Sequence, residues 1–185
     1  MAQLSQKGFR VPSLSYAHLD DVTRSRQLIE CEALRLAIQN GTEAWEAEIV
    51  SSFHLLERHV ARLLAARRPP DDEYELAHSR LHRALVAACP LSQLKIFSEN
   101  LYIQGSRYRA LMLEALAVSP AVSRDIIAIH RRLKDLTLAR DSERAVAALN
   151  THIAIPAKIL LDGLSSNAEP KLNKTVRSKP QVRAR

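Results

Sequence analysis

Glycine is scarce in this chain, four in 185 residues, which leaves little room for the tight turns that β-sandwiches and barrels need. Cysteine is scarcer. Cys31 and Cys89 show no C-x-x-C spacing, so neither a disulfide framework nor a zinc knuckle is expected, and both thiols should be buried and free. No apolar run approaches the roughly eighteen residues of a membrane-spanning helix, and the first seven residues hold no apolar signal segment. The expectation is a cytoplasmic protein without membrane contact. An H-E-x-x-H pair is also missing, which removes one familiar helical signature of a zinc hydrolase.

What is present points to helices. A hydrophobic share of 46% and this length suit one domain with a real core. The net charge of +7 suggests a nucleic-acid partner only until it is divided along the chain. From position 166 onward six bases (Lys171, Lys174, Arg177, Lys179, Arg183, Arg185) face one acid, Glu169, whereas the rest carries 21 bases and 19 acids. The excess belongs to a Ser-, Asn-, Pro- and Lys-containing tail, residues 166–185, expected to be disordered. Weak nonspecific contact with phosphates is the alternative role for it.

Helix punctuation divides the body into six segments. The first runs from about His18 to Asn40, with Leu28, Cys31, Leu34, Leu36 and Ile38 as apolar positions and Asn40-Gly41 as its stop. Thr42 caps a second that Pro69-Pro70 end near Arg67. A third spans about Asp72 to Ala88, and a fourth follows from Leu91 to about Ala117, with Leu94, Phe97, Leu101, Tyr108, Leu111 and Met112 near helical spacing. The fifth covers about Ala121 to Ala139. The sixth opens at Arg140-Asp141-Ser142 and continues to Leu164, with a bend expected at Pro156. Short connections between six such segments predict an all-α, antiparallel bundle of six or seven helices. The first fifteen residues stand apart, Gly8–Pro12 reading as a strand end that leads into a linker.

Four histidines stand out on three of these helices. His78 and His82 are four residues apart, which puts both rings on one helix face. His130 and His152 each sit alone on an amphipathic stretch. A metal held inside a bundle needs this distribution, two ligands from one helix and single ligands from its neighbours. Either lone histidine also reads as a surface or hydrogen-bonded core residue. His18, His54 and His59 lack comparable support and are expected to be exposed or locally paired.

Several segments together resemble a known family. Arg26-Gln27-Leu28-Ile29-Glu30, followed by Ala33-Leu34-Arg35-Leu36-Ala37, is similar to the opening of the ligand-sensing C-terminal domain (FCD) in FadR-type members of the GntR regulators. His78–Leu85 resembles that family's D-x-x-F-H-x-x-L helix, and His130, Ala139-Arg140-Asp141, Ala145 and His152 resemble its ending. Gly8-Phe9-Arg10-Val11 is similar to the last strand of the winged helix that precedes the domain. The resemblance implies three parts: residues 1–15 as a wing remnant and linker, 16–165 as a helical effector-binding and dimerisation domain, and 166–185 as the tail. It also implies a divalent metal, Zn or Ni, held by His78, His82, His130 and His152, with a small carboxylate effector on its open positions.

Under the same resemblance Arg26 is the leading candidate to grip the effector's carboxylate with its planar fork. The alternative is a helix-surface ion pair with Glu30. Arg109, Arg107, Tyr102 and Tyr108 are further candidates on the fourth helix, as pocket groups or as packing and solvated residues. Homodimerisation through the first and fourth helices is implied too.

Two departures matter. His78 stands where the family usually has an aspartate, which raises the formal charge of a divalent site from +1 to +2 and favours an anionic effector; Leu81 stands where it often has phenylalanine. Only seven residues precede Gly8, against the roughly sixty of a winged helix, so DNA contact is expected only through a module not encoded here. Two other functions compete. One is a metal-dependent hydrolase with Glu30, Glu75 or Glu99 as general base, and the other a structural helical dimer whose histidines never meet.

Overall fold

The computed structural model describes residues 14–116 and 120–165. Its helices are α1 (Tyr16–Asn40), α2 (Glu43–Ala66), α3 (Asp72–Val86), α4 (Ser92–Leu116), α5 (Pro120–Leu138) and α6 (Ser142–Ser165). The fold is all-α, as the punctuation predicts. The expected strand at Gly8–Val11, most of the 1–15 linker and the 166–185 tail lie outside the described residues.

Four of these helices, α1, α2, α3 and α6, begin where a side chain satisfies an otherwise unpaired amide. Ser15 accepts from the His18 amide at 3.2 Å, Thr42 from Trp45 at 3.3 Å, Asp71 from Tyr74 at 2.9 Å and Asp141 from Arg144 at 3.2 Å. The ends are less conventional. Arg67 and Arg140 take the left-handed conformation that more often falls to glycine, with φ of 52° and 56°. Arg140 then uses its side chain, since its guanidinium donates to the carbonyl of Gly41 at 3.0 Å, just past the end of α1, and also to that of Ile38 in its last turn.

Gly41 ends α1 as expected but not by a left-handed cap. Its φ of −66° is open to any residue; what requires glycine is the Trp45 ring, whose Cε3 would lie 2.0 Å from an added Cβ. Trp45 is held in place by its Nε1–H, which donates to the carbonyl of Ala84 at 2.8 Å.

α1 is the central element, packed against α3, α4 and α6, while α2 rests on α3 and α5, and α5 on α6. Ala33, Leu34 and Ala37 of α1, Ile49 and Leu56 of α2, Leu81 and Leu85 of α3, Leu133 of α5, and Ala145 and Leu149 of α6 are buried together. Small residues at 33, 37 and 145 let the backbones approach. Cys31 and Cys89 are buried free thiols, and burial pushes Cys31 up to about 12. Two expected core positions are instead on the surface: Leu28 is 75% exposed and Phe97 50%. α6 continues through Pro156. Proline lacks the N–H that would bond the carbonyl four residues back, which in this chain belongs to His152.

Candidate metal centre

The four histidines converge. α3 presents His78 and His82 one turn apart, with ring centroids 4.5 Å from each other; His130 of α5 and His152 of α6 meet them from the other side, themselves separated by 4.5 Å. One ring nitrogen from each residue lies within 4.8 Å of all the others. His78, His82 and His130 are buried and His152 is half-buried.

For His130 and His78, hydrogen-bond partners fix which nitrogen points inward. His130 Nδ1–H donates to the carbonyl of Ile126 at 2.7 Å, leaving Nε2 buried without a hydrogen-bond partner. Tyr102 places its proton on Glu75 Oε1 at 3.1 Å, so its oxygen accepts from His78 Nδ1–H at 2.6 Å and His78 Nε2 keeps its lone pair. His82 Nδ1 lies 4.0 Å from Glu30 Oε2, while its Nε2 is 3.2 Å from His152 Nε2. His152 Nδ1 is also buried and unpartnered.

Burial is the main force on all four titrations. It holds His78, His82 and His152 well below the ordinary imidazole range and brings His130 down to about 4, with the charge of Arg109 and the neighbouring imidazoles acting in the same direction on His78 and His82. Neutral imidazole is the ligating form. The donor set fits a divalent ion: at a metal–nitrogen distance of about 2.0–2.1 Å, adjacent ligands sit roughly 3.0–3.4 Å apart, and His82 and His152 have that spacing already. The buried His130 Nε2, which no protein group satisfies, fits the same interpretation.

Around the rings lie the three expected effector residues, all buried but none idle. Arg26 Nε donates to Glu30 Oε1 at 2.6 Å and Nη2 to Oε2 at 3.2 Å, so the i,i+4 ion pair exists but is interior rather than on the helix surface. Arg109 forks onto Glu75 at 2.5 and 3.2 Å. Tyr102 has Arg109 4.6 Å and Arg26 5.5 Å from its ring centroid, both within cation–π range. Arg107 does not line the cavity beside the rings. Tyr108 is occupied elsewhere, its hydroxyl 2.7 Å from His18 Nδ1 and donating to the Ser15 carbonyl at 3.1 Å. His59 is buried against Asp71 at 2.8 Å and His54 is exposed. The general bases that a hydrolase would need, Glu30, Glu75 and Glu99, are each paired with an arginine.

Gly105 is a site residue that sequence reasoning overlooked. A Cβ there would stand 2.9 Å from Arg26 Nη1, so the missing side chain is what admits the guanidinium between α1 and α4. A lone glycine inside a helical pattern is the signal that could have found it.

A cavity of about 190 Å³ opens beside the cluster, bounded by His78, His130, His152, Arg26, Arg109 and apolar residues of α4, α5 and α6. An α-helical bundle that gathers histidines from three helices beside a cavity offers a site in which a ligand can be held. The chain belongs to the FCD domain family, which it matches over residues 21–154, and so to the effector-sensing regulatory domains of GntR-type regulators.

It is 37% identical over 149 residues to the uncharacterised HTH-type transcriptional regulator BphR of Paraburkholderia xenovorans, covering 80% of this chain and 59% of that protein. It is 32% identical over 164 residues to the HTH-type transcriptional repressor GlaR of Escherichia coli, covering 89% and 74%. Similar folds occur in a GntR-family transcriptional regulator from Pseudomonas syringae (TM-score 0.66, 23% identity, 88% of this chain and 63% of that one) and in E. coli McbR/YncC (TM-score 0.70, 21%, 88% and 73%). The chain thus spans 59% of the first relative's length. Its relatives are transcriptional regulators, not enzymes. Among the described residues no helix is long and apolar enough to cross a membrane.

Proposed function

We propose that this chain is a metal-dependent sensor of a small carboxylate and the dimerisation module of a GntR-type regulator, with His78, His82, His130 and His152 as ligands of one divalent ion, zinc or nickel. The observation that carries this reading is the convergence of four neutral imidazoles around one point, with a buried ring nitrogen of His130 left unsatisfied. A bound ion would supply a double positive charge and open coordination positions to a carboxylate. The protein's own part is to orient the rings. Ile126 and Tyr102 fix two tautomers, while Arg26 and Arg109, held by Glu30 and Glu75, add positive edges to the cavity.

Dimerisation is supported by the apolar surface of two helices that pack together: Leu28 on α1, and Ile96, Phe97 and Ile103 on α4, each at least half exposed. DNA contact we assign to a helix-turn-helix part such as that of the HTH-type regulators it resembles. Regulation then requires that effector bind two arrangements of the dimer with different affinity, about 1.4 kcal/mol for each tenfold shift.

Elemental analysis of protein purified without a histidine tag tests the central point, with one metal ion per chain expected. A metal-free protein that binds neither zinc nor nickel on titration would overturn it.

A further inference from the structure

We infer that the cavity beside the histidines takes a monocarboxylate with an uncharged hydrocarbon body and discriminates against dicarboxylates. The inference rests on the metal–carboxylate reading above and narrows its ligand class. The cavity is mostly apolar, with Arg26, Arg109, Tyr74 and Asp125 as its polar lining besides the histidines. His78, His130 and His152 offer their rings to it, and the apolar lining is five isoleucines, among them Ile129, Ile155 and Ile159, together with Met112 and Pro156. An apolar cavity of about 150 Å³ holds a benzene molecule, so one of about 190 Å³ suits an acid of roughly six to ten non-hydrogen atoms.

The charges decide between mono- and diacids. Two guanidiniums reach the cavity, but the fork of Arg26 is closed on Glu30 and that of Arg109 on Glu75. The remaining charged residue in the lining, Asp125, is exposed and carries the sign that repels a second carboxylate. A distal carboxylate would therefore lose water against isoleucine without gaining a cation. A second cavity, of about 300 Å³, has His82 and Tyr102 in its wall and is richer in charged groups, with Glu30, Arg83, Lys95 and Glu99 lining it beside Val86 and Ala87. Of these two cavities the first is the better match to hydrocarbon.

Calorimetric titration of the zinc-loaded chain with acetate, butanoate, hexanoate and adipate tests the inference. Affinity should rise about fourfold for each methylene added from acetate to hexanoate. Hexanoate should also bind about tenfold or more tightly than adipate, its six-carbon diacid counterpart. Ile155→Gln should weaken hexanoate by about tenfold and leave acetate within about twofold, whereas Lys95→Gln, in the other cavity, should change neither. The length series on the unaltered chain stands even if Ile155→Gln does not fold. Adipate binding as tightly as hexanoate, or affinity independent of chain length, overturns the inference while sparing the metal–carboxylate reading. Zinc-loaded protein that binds none of the four acids removes both.

Discussion

His130 donates its Nδ1–H to the carbonyl of Ile126, 2.7 Å away on the preceding turn of the same helix, and so turns an unpaired Nε2 toward three other imidazoles. The bond settles the tautomer before any ligand arrives. Its consequence is a test of the ligand set. His130→Ala should reduce zinc affinity by more than the roughly ten- to hundredfold that loss of an outer hydrogen-bond partner costs, measured by competition with a chelator. Unchanged zinc affinity in that variant would exclude His130 from the site.

Tyr102 acts through His78 rather than on a ligand directly. Its oxygen accepts the His78 Nδ1–H at 2.6 Å while its own proton goes to Glu75. Tyr102→Phe keeps the ring under Arg109 and Arg26 but strands a buried N–H. Zinc affinity should fall about ten- to hundredfold, with helical content by circular dichroism unchanged. A drop in stability without a drop in affinity would make Tyr102 a packing residue only.

Acid should destabilise the metal-free protein in a range where carboxylates are still charged. The unfolded chain binds protons on histidine below about 6.5, whereas the folded-state imidazoles, lowered by burial, refuse them, His130 until about 4 and the other three in the same direction. The unfolded state therefore holds more protons, so stability falls as pH falls from 6.5 and the loss for His130 is complete only below about 4. For His130 alone it amounts to roughly 3 kcal/mol. Urea titrations of metal-free protein between pH 7 and 5 should show this slope, and His130→Gln should flatten it. A stability independent of pH across that interval would mean that the rings are solvated.

How far the chain could be read in advance differs by feature. The starts of α2 and α6 were legible from Thr42 and the Arg140-Asp141-Ser142 junction, and several helix ends because prolines and Gly41 interrupt the pattern, whereas α1 begins at Tyr16, two residues before the expected His18, because Ser15 caps it. The reason for Gly41 was not legible, since it lies in a ring packed across a turn rather than in a backbone angle. His78 and His82 share a face by spacing alone, but the meeting with His130 and His152 depends on how α5 and α6 lie against α3, which no local pattern encodes. The burial of the Arg26–Glu30 pair and the pairing of Arg109 with Glu75 were hidden for the same reason. Leu28 and Phe97 misled because apolar periodicity marks any buried face, including one that a second chain would bury.

That exposed face supports a prediction about assembly. Phe97 and Ile103 are half exposed on α4, and a charge placed there opposes burial against a second copy far more than it disturbs the fold. Phe97→Asp with Ile103→Asp should convert a dimer to a monomer in sedimentation equilibrium, while Leu55→Asp, at an exposed leucine of α2, should leave it dimeric. Dimers that persist in the α4 variant would place the interface elsewhere.

The interior ion pair supports the last test. Arg26 and Glu30 are only 5% and 3% exposed at their side chains, so removing one leaves the other as an uncompensated charge in a setting with few partners. Arg26→Met should destabilise the metal-free chain by about 3 to 5 kcal/mol, a fall in Tm on the order of 10 °C for a chain of this size. Arg26→Met combined with Glu30→Leu removes both charges and should recover most of that loss, because the desolvation cost disappears along with the attraction. If the double variant is as unstable as the single one, the pair contributes through shape and packing against Gly105 rather than through charge, and the electrostatic account of this wall of the site fails.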